Sequence, residues 1–160
     1  MRQADPSPSR DPSSSAPGLA DRAAEVFGQH APRLLRGEGA VIGVSGGLDS
    51  MVLLETVHRI RVGLSGSSGN AGPFPDLVVH VNYGLRGADA DRDQELVEQV
   101  CGMWGFECAS FRLDPAEGRA SGVNLQDWAR RERYAVFGEL ARETGLGVVL
   151  TAHHADDQIQ

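Results

Sequence analysis

Six consecutive residues, Ser45-Gly46-Gly47-Leu48-Asp49-Ser50, hold the densest chemistry in the chain. They follow the apolar run Ala40-Val41-Ile42-Gly43-Val44 and precede an apolar-periodic stretch that begins at Met51. That order predicts a strand, a glycine turn and the start of a helix. Two adjacent glycines have no side chains to block approach, so backbone N–H groups there can face a ligand. The helix behind them adds free N–H groups and the positive end of its dipole. Ser45 and Ser50 add hydroxyl donors. Such a cup suits an anion with several oxygens, and pyrophosphate is the natural candidate. Asp49 is the discordant member, because a carboxylate repels phosphate. A divalent cation between the two removes the conflict, and Mg²⁺ commonly takes one or two carboxylates together with phosphate oxygens. Ser45, Gly46, Gly47, Leu48, Asp49 and Ser50 are therefore candidate phosphate-binding residues, with Asp49 the candidate metal ligand. The plainer alternative is a Gly-rich turn that holds nothing.

Three further segments concentrate polar residues. Thr151-Ala152-His153-His154-Ala155-Asp156-Asp157-Gln158 packs two His and two Asp into a short span. Adjacent histidines point in different directions, so a chelating pair at helical spacing is absent. One Asp or one His can instead serve a phosphate and metal centre from across a sheet edge; a polar helix start is the alternative. In Ala129-Arg130-Arg131-Glu132-Arg133-Tyr134, Arg130 and Arg133 share a helix face and Arg131 points elsewhere. Guanidinium forks suit phosphate oxygens, although a solvated face beside Glu132 explains the run equally well. His80-Val81-Asn82-Tyr83-Gly84-Leu85-Arg86-Gly87 leaves an apolar run, where backbone groups can read an adenine edge. His80 itself reads equally as a satisfied core residue.

The elements that must position these residues follow from the pattern. A helix is expected at about 19–30, with a further turn opened by Pro32. Strands are expected at 40–44, 77–81, about 106–111 and 147–151. Helices are expected at about 50–61, 89–104 and 124–144, with Leu53, Leu54, Val57 and Ile60 on one face of the first. Residues 63–75, rich in Gly and Ser, read as a flexible surface connection, and 114–123 as irregular. Residues 1–18, with four prolines and five serines before position 18, read as a disordered tail ahead of a single domain over 19–160. Continuous apolar strands alternating with long helices imply a doubly wound parallel α/β sheet. In such sheets ligands sit beyond the carboxyl ends of the strands, at the switch point. Segments 45–50, 82–87 and 152–158 all occupy those ends.

Composition narrows the chemistry. The chain has 160 residues and a net charge of −7, unlike strongly basic nucleic-acid binders, so any RNA contact must come from a local patch or a missing segment. All 15 basic residues are Arg, which excludes the lysine of the G-x-x-x-x-G-K-[ST] phosphate loop and any Schiff-base lysine. Cys101 and Cys108 do not form a C-x-x-C pair and read as small buried hydrophobes. No apolar run reaches membrane length and no signal-peptide core is present, so the expected location is cytoplasmic, with no membrane partner.

Taken in order, Ser45–Ser50, His80–Gly87, Ala129–Tyr134 and His153–Gln158 resemble the N-type ATP pyrophosphatase superfamily, whose fold is adenine nucleotide alpha hydrolase-like. Within it they are most similar to the tRNA(Ile)-lysidine synthetase family. The resemblance covers about 19–160. It implies a ligase that uses ATP and Mg²⁺ to adenylate the wobble cytidine of an isoleucine tRNA with a CAU anticodon. The amine of free L-lysine then displaces AMP. By resemblance, Ser45, Gly46, Gly47, Asp49 and Ser50 hold pyrophosphate and Mg²⁺, and Arg133, with Arg130 nearby, steadies phosphate or the adenylated base. His153 lies near the reacting nucleotide, and Asp157 meets the lysine ammonium. Asp49, Arg133, His153 and Asp157 are the catalytic candidates, and His80 and Arg130 join the nucleotide-binding set.

The chain departs from the family in two places. Tyr83 stands where the family often has His. Gln160 stands where it usually has an acid, which weakens selection for a cation. The resemblance also leads one to expect a further strand and a tRNA-binding region after Gln160, so that this polypeptide alone has little tRNA-modifying activity; a homodimer is compatible with it. Competing expectations are another ATP pyrophosphatase of the superfamily, thiolating tRNA or forming amides, and a non-catalytic adenine-nucleotide binding module.

Overall fold

The computed structural model describes residues 18–68, 74–85 and 87–152. The segment expected as a tail, Arg86, and all of His153–Gln160 lie outside the described residues. Four strands, β1 (Val41–Gly43), β2 (Leu77–Asn82), β3 (Glu107–Arg112) and β4 (Val149–Thr151), form one sheet in the order β3-β2-β1-β4. Every pairing is parallel: Val41 lies opposite both Leu77 and Val149, and Val78 opposite Cys108. The chain steps from β1 outward through β2 to β3, then returns to the other side of β1. The switch point therefore lies between β1 and β4, and the doubly wound parallel sheet expected from the pattern is present.

Among the described residues six helices accompany it: α1 (Leu19–His30), α2 (Pro32–Leu35), α3 (Leu48–Ser68), α4 (Ala88–Trp104), α5 (Pro115–Ala120) and α6 (Leu125–Thr144). Alternate residues of the central strands face opposite layers. Ala40, Ile42, Val44 and Val78 pack with Leu34, Leu54, Val57, Val97, Val100 and Cys101. Val41, Leu77, Val79 and Val81 pack against Phe137 of α6. Burial on both faces explains why β1 and β2 read as unbroken apolar runs, whereas β3, at the sheet edge, alternates. Both cysteines are free; Cys101 is buried and Cys108 half-buried, packed against the same layer. A hydrogen bond to Cys108, with burial, pushes the Cys101 thiol up, while the same bond lowers Cys108.

Two expectations need correction. The connection expected over 63–75 is helical through Ser68, because α3 continues past Gly63 and Gly66. A Cβ at either glycine would meet nothing, so each lowers local helix stability by only about 1 kcal/mol, and the Ser65 hydroxyl closes on the Arg61 carbonyl (3.0 Å). The stretch expected to be irregular contains α5. Asp114 caps it by accepting the Ala116 N–H (2.8 Å), and Pro115 supplies its first turn. Gly118 then fits beneath Trp128 and Leu125. The Asp-Pro pair was a legible start signal.

One buried ion pair secures the end of the sheet remote from the glycine turn. Arg61 donates through Nε and Nη2 to the two oxygens of Asp76, both at 2.7 Å. Two further N–H donors, one from Nη1 and one from Nη2, reach the Leu34 and Glu38 carbonyls. Asp76 also accepts the Ala40 N–H (2.9 Å), so the entries of β1 and β2, α2 and α3 share one network. Removing one partner leaves an uncompensated buried charge. Asp76→Ala should therefore lower unfolding free energy by about 3–5 kcal/mol, read from the midpoint shift in urea denaturation. A loss below 1 kcal/mol would show that the network carries little of the fold's stability.

Candidate functional site

Strand β1 ends in residues with no room for side chains. At Gly43 a Cβ would run into the Phe137 ring of α6, and at Gly46 it would come within 2.7 Å of the Asp93 Cβ of α4. Gly46 also has φ +87°, a region that costs other residues strain. These contacts draw α6 and α4 against the turn, and the turn feeds directly into α3 at Leu48.

The turn is clasped by its own serines. Ser50 Oγ donates to the Gly47 carbonyl (2.8 Å) and accepts the Ser45 N–H (3.1 Å). Ser45 Oγ lies 3.0 Å from Ser50 Oγ and accepts the Gly47 N–H at 3.3 Å. A hydroxyl has one proton. With that of Ser50 committed to Gly47, that of Ser45 must point to Ser50. In this arrangement both hydroxyls shape the loop, while Ser45 is exposed and also borders the neighbouring cavity. Among the described residues the Gly46 and Leu48 N–H groups meet no acceptor. Leu48 and Asp49 are exposed in the first turn of α3.

Beside the turn lies an open cavity of about 430 Å³. Ser45 and Gly47 form one wall, His80, Tyr83 and Leu85 at the β2 exit another, and Arg130 and Arg133 of α6 a third. Asp93 and Gln126 complete it. His80 is buried, and its Nδ1 is 2.9 Å from the Val44 carbonyl, so its ring ties β2 to the turn while bordering the cavity. Arg130 and Arg133 both lie 5.5 Å from the Tyr134 ring, which meets Phe137 edge-on. The aromatic ring thereby props both guanidinium groups on the cavity side, a cation–π arrangement.

The β2 exit is held by Asn82, which is almost fully buried. Its Nδ2 donates to Asp91 Oδ1 (3.1 Å), and its Oδ1 accepts the Gly84 N–H (2.9 Å). A smaller cleft of about 50 Å³ adjoins the cavity, bordered by Ser45, Ser50, Tyr83, Arg133, Thr151 and Ala152. The structure thus brings the glycine turn, His80, Arg130 and Arg133 together. His153 and Asp157 lie outside the described residues. Sequence reasoning passed over Asp93, Gln126 and Asn82. Asn82 carried a signal, a buried-strand end followed by Tyr-Gly; Asp93 and Gln126 carried none, since only the close approach of α4 and α6 selects them.

A family model described as a PP-loop domain matches residues 19–160. Among curated proteins, the chain is 33% identical over 127 residues to the tRNA(Ile)-lysidine synthase of Bacillus subtilis (strain 168), covering 79% of this chain and 25% of that protein. It is 37% identical over 119 residues to the tRNA(Ile)-lysidine synthase of Novosphingobium aromaticivorans, covering 74% of this chain and 32% of that protein. The chain spans about a quarter to a third of the length of these relatives. Among solved structures, the U34-tRNA thiolase NcsA from Methanococcus maripaludis, solved with its [4Fe-4S] cluster, superposes with a TM-score of 0.60. That match is at 17% identity and covers 83% of this chain and 48% of the thiolase, which is a likeness of fold.

The clasp makes a measurable demand. Ser50→Ala removes the bond to Gly47 and leaves the half-buried Ser45 N–H without its acceptor. We expect a loss of about 1–3 kcal/mol in unfolding free energy and faster hydrogen exchange at Ser45. Unchanged exchange would mean that the turn holds its shape without the serines.

Proposed function

We propose a function from one established premise: the chain belongs to the family of PP-loop domains. We infer that it binds ATP with its polyphosphate against the turn at 45–50 and its nucleoside in the cavity beneath Arg130 and Arg133. The observation that carries this reading is the convergence of the turn amides, a helix N-terminus and two guanidinium groups beside the carboxyl ends of β1 and β2. Each is a phosphate-binding device, and together they suit a chain of phosphates.

The reaction best supported is adenylation of a tRNA base followed by joining of lysine, as in the relatives' name. In that reading the 2-carbonyl oxygen of the wobble cytidine attacks the α-phosphorus and pyrophosphate leaves. The lysine amine then displaces AMP. The task of Ser45–Ser50 is to hold the pyrophosphate as its charge grows, which positioning and electrostatics accomplish without a covalent intermediate. Arg133 and Arg130 hold the α-phosphate or the adenylated base. His153 and Asp157 are assigned to the nucleotide and the lysine ammonium by family resemblance.

The donor set fits Mg²⁺. Among the described residues no three His, Cys, Asp or Glu side chains cluster as a closed metal site, and the turn offers carboxylates at Asp49 and, beside Gly46, at Asp93. Mg²⁺ is usually bound in this way, through one or two carboxylates plus phosphate oxygens. It would neutralise the polyphosphate, and Asp49 would hold it. An isoleucine tRNA with a CAU anticodon and free L-lysine are the proposed substrates. Among the described residues no helix is long and apolar enough to cross a membrane.

Calorimetry with ATP and Mg²⁺ tests the binding step. Arg133→Ala should weaken binding about 10- to 100-fold, the range for a lost hydrogen bond to a charged group, without a comparable loss of fold. Mixing ATP, Mg²⁺, lysine and the tRNA tests the chemistry. Pyrophosphate release that requires the tRNA supports the ligase reading. Nucleotide binding without release under any combination would favour a binding module instead.

A further inference from the structure

Among the described residues, two buried side-chain polar atoms lack a partner in full hydrogen-bond geometry, the hydroxyl of Tyr83 and the Nε of Arg133. Both have almost no solvent access, although the phenol lies close enough to the Arg133 guanidinium for that group to lower its pKa. Such orphans are rare, because a buried tyrosine hydroxyl normally finds a partner and leaving one unpaired costs stability. Two of them on neighbouring side chains point to a ligand that supplies what the protein lacks.

Their position identifies the ligand's chemistry. Ser45, Val81, Tyr83 and Arg133 border both the 430 Å³ cavity and the 50 Å³ cleft beside the glycine turn. They stand where the two spaces meet. An arginine Nε carries only a donor, and a phenol can donate as well. Two neighbouring donors without an acceptor suit a group with several lone pairs, ideally an anionic oxygen. Resting on the ATP reading above, the group at the junction between a nucleoside space and a polyphosphate space is the phosphate esterified to the ribose. We propose that the Tyr83 hydroxyl, together with Arg133 Nε–H, forms a two-donor clamp on that α-phosphate, making Tyr83 a nucleotide-binding residue of this site. Burial holds the phenol above its ordinary pKa, an effect that the Arg133 charge partly offsets, so the hydroxyl keeps its proton and remains a donor at neutral pH.

The clamp separates two roles for Tyr83 that a sequence comparison would merge. Its side chain packs against the buried cluster of Val41, Leu77, Val79, Val81 and Phe137, so the aromatic body belongs to the core. The hydroxyl contributes nothing to that packing. Tyr83→Phe keeps the ring and removes only the donor.

The test titrates AMP and adenosine, separately, into the wild-type chain and into Tyr83→Phe by calorimetry, with melting curves of both proteins without ligand. We expect wild type to bind AMP more tightly than adenosine. Tyr83→Phe should lose about tenfold in AMP affinity, the scale of one charge-assisted hydrogen bond, with adenosine affinity unchanged. The ligand-free melting temperature should stay level or rise by about 2–4 °C, since an unsatisfied group has gone. AMP affinity within twofold of wild type would overturn the clamp while leaving the nucleotide reading intact. An equal loss for adenosine would place the hydroxyl at the nucleoside and overturn it as well, and a lowered melting temperature would show that the hydroxyl already has a partner. If wild type binds neither compound, both the clamp and the nucleotide reading fail.

Discussion

The site depends on a steric constraint at the carboxyl end of β1. Gly43 and Gly46 leave gaps that Phe137 of α6 and Asp93 of α4 fill. Larger residues at these positions would push both helices away from the turn. Because the glycines admit them, α6 arrives with Arg130 and Arg133 aimed at the cavity, and α4 arrives with Asp93. A packing contact of two aromatic or aliphatic atoms thus decides where two guanidinium groups stand. The buried Arg61–Asp76 network performs the complementary task at the far end, fixing where β1 and β2 enter the sheet. One end is built for rigidity through satisfied polar groups. The other end keeps polar groups unsatisfied.

That contrast has an energetic meaning. Four of the five N–H donors of the Arg61 guanidinium bond to a carboxylate or carbonyl, as a buried charge requires. At the opposite edge, among the described residues, Tyr83 and Arg133 carry buried atoms without a partner in full hydrogen-bond geometry, and the Gly46 and Leu48 amides meet no described acceptor. Folding tolerates these costs because the apolar layers on both sides of β1 and β2 supply the stability. The serine clasp then sets the shape of the turn ahead of any ligand, so little ordering remains to be done on binding. Preorganisation of this kind is what an electrostatic site needs, since donors already in place lose no reorganisation energy when charge develops.

Much of this was legible in the sequence. The glycine turn, the alternation of strands and helices, and the pairing of Arg130 with Arg133 follow from local pattern and period. Helix α1 begins and ends where its pattern predicts. What escaped was decided by tertiary contact or by weak signals read too cautiously. The extension of α3 through two glycines depends on anchors elsewhere along the helix, and α5 depends on a two-residue cap. Asp93 and Gln126 enter the site only because α4 and α6 close over a turn that lies more than forty residues away in the chain. The hydrogen bonds that the Ser45 and Ser50 hydroxyls make within the turn could not be read from residue types, which fix no rotamer. Tyr83 was visible as an aromatic departure from the family pattern, but its orphaned hydroxyl is a property of three-dimensional burial.

The central claim is that the bare amides of the β1–α3 turn receive the phosphates of a nucleotide. Amide chemical shifts of an isotopically labelled chain, followed while ATP and Mg²⁺ are added, report on those atoms directly. The account expects the Gly46, Gly47 and Leu48 resonances to move together and saturate, with Gly46 and Leu48, the amides lacking an acceptor, moving most. Saturable shifts that spare these three amides, or no shift anywhere in the spectrum, would contradict it.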